Sequence, residues 1–267
     1  MKKQAEIGII GGSGFYQLLK KAEEVKIETP SGSSSGKIAL GKVSGKKVAF
    51  LPRHGPGHSL PPHQIPYKAN LWALKSLGVS QIITVTACGS LQKEIRRGDF
   101  MVLDQFIDRT RHRQDTFYDG PVTTHVSTAY PYCPYLSKIA YQIGKKQGLR
   151  IHPKGTVVVI EGPRFSTAAE SIWFTKMGWE VVNMTQYPEV VLARELEMCY
   201  TAIAVVTDWD VGVVTTEKLK PVEFEEVVRV FSQNIKKSQK LILQLIKELP
   251  RVRKCSCQKA LKGAKIE

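Results

Sequence analysis

The sequence predicts a single-domain α/β fold, a mixed β-sheet flanked by helices. Three observations carry that expectation. Short Val/Ile-rich runs alternate with helical periods along the 267 residues, no linker or internal repeat divides them, and the special glycine- and hydroxyl-bearing sequences fall at the ends of the apolar runs. Hydrophobic residues are 42% and charged residues 24%, which supplies a core and excludes wholesale disorder. No apolar run approaches the ~18 residues of a membrane span. The N-terminal apolar stretch Ile7–Ile10 is too short for a signal-peptide core, so a soluble cytoplasmic protein is expected.

Ile7–Ile10 reads as a buried strand entering Gly11-Gly12-Ser13-Gly14, and Ser31–Gly36 reads as a loop. Lys37–Val43 and Lys47–Leu51 form a hairpin around Ser44-Gly45. A helix over Tyr67–Leu77 stops at Gly78, and one over Tyr135–Gln147 closes at Gly148. Strands follow at Gln81–Thr86, Asp99–Asp104, Thr156–Ile160, Glu180–Asn183 and Tyr200–Val206. Helices are expected at Thr167–Met177, Val190–Glu197 and Phe224–Leu249. The last is amphipathic, with Ile235, Leu241, Ile242, Leu245 and Ile246 on one face.

The net charge of +15 raises the question of nucleic acid. Lys236–Glu267 alone hold ten Lys/Arg against two acids, so much of the charge solvates the final helix and tail. With no nucleic-acid motif beside it, nucleic acid is not the expected partner. Five cysteines, an odd number, argue against a disulfide framework. Cys88, Cys133 and Cys199 read as buried thiols. Cys255-Ser256-Cys257 lies in a basic tail, 251–267, beyond a domain spanning 1–250. Zinc would need two further ligands, and no Cys or His stands near that pair in sequence. His54, His58 and His63, spaced across prolines, are no rigid ligand set either, so no metal is expected.

Chemistry-bearing residues cluster at the strand ends. Gly11-Gly12-Ser13-Gly14 offers backbone N–H groups and a hydroxyl, suited to an anion or to an ordinary tight turn; its spacing does not match a dinucleotide fingerprint. Arg53 brings a planar fork and His54 a donor. Thr86-Ala87-Cys88-Gly89-Ser90 permits close backbone approach. Phe165 and Ser166 add an aromatic face and a hydroxyl, Asn183-Met184-Thr185 an amide and a hydroxyl. Asp208 and Asp210 suggest acid–base work or recognition of amino groups, helix capping being the common alternative.

Together these segments resemble the nucleoside phosphorylases of the purine nucleoside phosphorylase and methylthioadenosine phosphorylase group. The resemblance runs from about Ile7 to Leu249. It is strongest in Ile9–Gly14, Arg53-His54-Gly55, Tyr67–Leu74, Asp104–Asp108, Glu161–Ser166 and Asn183-Met184-Thr185. It implies a trimer-based fold, with a homotrimer or a hexamer of two trimers expected. It further implies cleavage of an N-glycosidic bond by inorganic phosphate as co-substrate, with no cofactor. By matching positions, Ser13, Arg53, His54, Thr86, Ala87 and Thr185 form the phosphate cradle. Phe165, Ser166, Asn183 and Met184 meet the nucleoside, and Asp208 with Asp210 reads the purine as the catalytic pair. His125 serves a neighbouring subunit's 5′ pocket, whose apolar wall is Phe224, Val227 and Val228. Asp208, where 6-oxopurine enzymes place Asn, points to phosphorolysis of methylthioadenosine to adenine and 5-methylthioribose 1-phosphate; a broader purine nucleoside specificity is the alternative. Gln186-Tyr187 and the segment 211–221 depart from the group's pattern near the 5′ pocket. The resemblance also suggests a C-x-C disulfide or redox pair at Cys255 and Cys257, as in tails of some heat-stable members.

Overall fold

Five consecutive buried residues, Ile7–Gly11, form the strand β1 at the middle of the sheet. The run is apolar throughout because both faces of this strand are covered. The computed structural model describes residues 3–12, 14, 15, 19, 22–211 and 221–265; Ser13 and most of the 211–221 segment lie outside them. The next strands are β2 (Glu23–Val25), the ribbon β3 (Glu28–Thr29) with β4 (Gly32–Ser33), β5 (Ile38–Val43) and β6 (Lys46–Pro52). Then come α1 (Tyr67–Ser76), β7 (Gln81–Ser90), β8 (Phe100–Val102), β9 (Gln105–Arg109), α2 (Pro134–Lys146), β10 (Ile151–His152) and β11 (Thr156–Ile160). The chain ends with α3 (Ala168–Lys176), β12 (Val181–Asn183), α4 (Gln186–Glu195), β13 (Cys199–Trp209) and α5 (Phe224–Glu248).

Eleven strands make one mixed sheet in the order β10-β8-β13-β7-β1-β6-β5-β2, with β12, β11 and β9 branching from β7. β6, β1, β7 and β13 run parallel, so their carboxyl ends share one edge. One face carries Leu71 and Leu74 of α1 with Val190 and Leu192 of α4. The other carries Leu136 and Ala140 of α2 with Leu241, Ile242, Leu245 and Ile246 of α5. These are four of the five positions expected to face inward, each worth roughly 1.5–3 kcal/mol when fully buried; Ile235 is partly buried against the same cluster. No helix among the described residues is long and apolar enough to cross a membrane.

Most elements fall where the sequence placed them. The β5–β6 hairpin turns on Ser44 and Gly45 at φ 50° and 77°, as two-residue hairpin turns demand. Helix α3 starts on a capping box between Thr167 and Glu170. Three differences matter. Gly32–Ser33, expected in a loop, pairs with Glu28–Thr29. β7 continues past Thr86 to Ser90, and β13 past Val206 to Trp209, because the two ladders support each other there. Asp208 is therefore a strand residue, which removes the helix-cap alternative. Between Val206 and Asp208 the register shifts by one residue, a bulge that re-aims the carboxylate.

Candidate active site

The parallel strands bring the separate motifs to one edge. Arg53 N–H donates to the Gly11 carbonyl at 3.1 Å, joining the ends of β6 and β1. Antiparallel pairing of β12 with β7, Val182 opposite Gly89, delivers Asn183 beside Thr86. Asn183 Nδ2 donates to Thr86 Oγ1 at 3.2 Å, and Thr185 N–H donates to Asn183 Oδ1 at 3.4 Å. Thr86, Ala87, Asn183 and Thr185 thus form one polar corner. Met184 packs on the Gly162 backbone, where a Cβ would come within 2.6 Å of its sulfur. Phe165, half-buried, extends from the same turn.

Arg53 is 2% exposed and its counter-ion is Glu189, 0% exposed. Nε and Nη2 donate to the two Glu189 oxygens at 2.7 and 2.9 Å, Nη2 also bonds Thr84 Oγ1, and Tyr200 O–H donates to Glu189 at 2.5 Å. The fork expected to face phosphate is filled by a carboxylate. Only Nη1 is loosely held, 3.4 Å from the Val85 carbonyl. Sequence reasoning missed Glu189. The signal was available: an arginine at the end of a buried strand needs a buried acid, and Glu189 is followed by Val190-Val191-Leu192.

His54 Nδ1 lies 2.9 Å from the Leu60 carbonyl and so must donate there, leaving Nε2 as an acceptor. Burial, with the Arg53 charge adding, pushes its pKa down to about 4. The ring is neutral at pH 7 and becomes a second donor only on protonation.

Burial likewise pushes the Asp208 carboxyl up to about 6; the Thr207 hydroxyl, donating at 2.7 Å, opposes this and the Asp210 charge adds to it. Gly89 permits the arrangement, since a Cβ there would stand 2.8 Å from Asp208 Oδ1. Burial also raises Asp210, with the Ser171 and Ser166 hydroxyls pulling back. Even so, Asp210 Oδ2 and Ser166 Oγ are buried without an aligned hydrogen-bond partner among the described residues. Two like carboxylates, one half-protonated near pH 6, with polar atoms beside them lacking aligned partners among the described residues, suit a ligand bearing both donors and acceptors.

The remaining expected residues stand apart. Phe224 and Val228 are 61% and 46% exposed at the start of α5. Their helix is tied to the strand end: Glu226 pairs with Arg97, whose guanidinium lies 4.9 Å over the Trp209 ring. His125 is exposed and lines a different cavity of about 600 Å³ with Asp115, Tyr118, Tyr187 and Glu195. Gln186 turns inward, accepting from Tyr132 O–H at 3.2 Å, whereas Tyr187 reaches Asp115 in the His125 cavity. The cysteines add a feature. Cys88, Cys133 and Cys199 are buried thiols as expected, but Cys133 and Cys199 also lie with Cys255 and Cys257 in one cluster, and all five cysteines are free. The two further thiols that the C-x-C pair lacked nearby in sequence are thus adjacent to it in space.

Comparison with known proteins agrees with this geometry. S-methyl-5′-thioadenosine phosphorylase of Pyrococcus horikoshii is 50% identical over 96% of this chain and 98% of its own. Purine nucleoside phosphorylase of Streptomyces coelicolor is 47% identical over 98% and 96%. The structure of methylthioadenosine phosphorylase from Schistosoma mansoni in complex with adenine superposes with a TM-score of 0.91 at 34% identity, covering 98% of this chain and 99% of that one. The phosphorylase superfamily model matches residues 6–247, and by that match and these relatives the chain belongs to the phosphorylase superfamily.

Proposed function

We propose that the chain catalyses phosphorolysis of S-methyl-5′-thioadenosine to adenine and 5-methylthioribose 1-phosphate. The observation that carries the reading is the buried Asp208–Asp210 pair, with Asp208 held near pKa 6 and Ser166 Oγ buried without an aligned partner among the described residues. In its neutral form Asp208 gives a proton to purine N7 as the C1′–N9 bond breaks, and the bonding pair leaves with the base. Phosphate, held on the other face of the sugar, captures C1′, and the proton it releases restores Asp208. Charge placement and positioning supply the rate without a cofactor. The 6-amino group donates to a carboxylate, whereas a 6-oxo group would set two acceptors together at a cost of about 1–3 kcal/mol.

Backbone N–H groups after β1, with Ser13, Arg53 Nη1, His54, Thr86, Ala87 and Thr185, hold the phosphate; Phe165, Asn183 and Met184 hold the base and ribose. Phe224, Val227 and Val228 are the 5′ wall, their exposure matching a surface that ligand and a neighbour cover. His125, on a different cavity, serves the neighbour, and the active unit is a trimer or a pair of trimers. A panel of methylthioadenosine, adenosine, inosine and methylthioinosine with and without phosphate tests the reading. Phosphate-dependent release of adenine, fastest from methylthioadenosine, is expected; preference for inosine would replace it with the broader purine nucleoside activity of the Streptomyces coelicolor relative's name.

A further inference from the structure

We propose that Cys133, Cys199, Cys255 and Cys257 hold one zinc ion as a closed tetrathiolate site that fastens the C-terminal tail to the core. The four sulfurs all lie within 4.8 Å of one another. A tetrahedral zinc with bonds of about 2.3 Å needs sulfurs about 3.8 Å apart, so small adjustments close the site. Two separate disulfides would need the same thiols sorted into pairs. Here each sulfur is instead within reach of the other three, the arrangement of ligands around a common centre. Cys199 and Cys255, at 3.2 Å, are in contact but free.

The framework is preset. Cys133 caps the N-terminus of α2, where the helix dipole favours a thiolate, and its N–H donates to the Tyr200 carbonyl at 2.8 Å, fixing it beside Cys199. Cys257 is buried, while Cys255 is only half-buried and leaves an entry path. A zinc tetrathiolate carries two negative charges, and Arg251, Arg253, Lys254 and Lys259 flank the tail pair. Each S–H replaced by a Zn–S bond sends its proton to the buffer, with no change of redox state. All four positions are protein thiolates, so the site holds no water and performs no catalysis. It also lies at the start of β13, nine residues and roughly 30 Å of strand from Asp208.

The test uses the full chain, produced with zinc and purified under reductant, with metal analysis and thiol titration. One zinc per chain is expected, released only when a mercurial modifies the thiols. Cys255→Ser, at the half-exposed position, should lower zinc affinity at least about 100-fold, while Cys88→Ser, outside the cluster, keeps full occupancy. Four titratable thiols without zinc after supplementation, or two disulfides in non-reducing mass spectrometry, would overturn the proposal. So would stoichiometric iron.

Discussion

Arg53 with Glu189 and Asp208 with Asp210 are buried charged pairs at one sheet edge, separated by β1 and β7, and they are built on opposite principles. In the first, charges are opposite and every Arg53 nitrogen has a partner inside the chain. In the second, charges are alike, and Asp210 Oδ2 and Ser166 Oγ have no aligned partner among the described residues. A closed pair holds the fold together. An open pair stores the cost of burial until a ligand with the right donors arrives. The conspicuous arginine beside the Gly-rich loop commits Nε and Nη2 to Glu189 and Thr84 and leaves only the loosely held Nη1 for the proposed phosphate.

The comparison breaks most visibly at Glu189. Glu189→Ala leaves the Arg53 charge buried and alone and should destabilise by about 3–5 kcal/mol, read from the denaturant midpoint. Arg53→Ala should do the same, with any change in phosphate KM secondary. If Arg53→Ala instead raises the phosphate KM at unchanged stability, the pair is not closed.

Asp208→Asn should act in the other direction. The native carboxyl, raised to about 6, contributes fully when protonated below its unfolded value near 4, and that contribution is lost as pH rises through 6. Removing it should leave the variant about 3 kcal/mol more stable than the wild type at pH 8 and level with it near pH 4. Adenine-nucleoside turnover should fall about 100-fold or more and inosine-type turnover rise. Equal loss on both substrates would deny Asp208 its reading of the 6-position. In the wild type, kcat/KM for methylthioadenosine should decline as pH rises above about 6, where the free enzyme loses the acid.

His54 provides a counterweight of opposite sign. Its pKa is lowered to about 4, so its contribution is complete above the unfolded value near 6.5 and is lost as pH falls toward 4. His54→Gln should therefore be less acid-sensitive than the wild type. Nuclear magnetic resonance should find the His54 ring neutral at pH 6, and phosphate should raise its pKa. The smallest effect is at His125: exposed, its Ala variant should shift stability by under about 0.5 kcal/mol while raising the nucleoside KM. A monomer with full activity in light scattering would remove His125 from the site.

Periodicity and turn residues were enough to place the strands and helices, because each element's apolar pattern is local. The polar corner was legible for the same reason: Thr86 and Asn183 lie in recognisable strands and Thr185 sits just before α4. What escaped was pairing at a distance. Glu189 meets Arg53 across 136 positions, and Cys133 meets Cys257 only after α2, β13 and α5 have folded. The bulge at Thr207 was equally hidden, since a one-residue register shift leaves no mark on composition.

The far end of the tail reaches back to the loop that carries His125. Thr124 bridges Lys265, and His125 N–H donates to the Ala264 carbonyl at 2.7 Å. Ala264 and Lys265 are thus mechanically in series with a loop more than a hundred residues earlier in the chain. A protease cutting after the exposed Arg251 would spare every strand-end residue and still unmoor the backbone that aims His125.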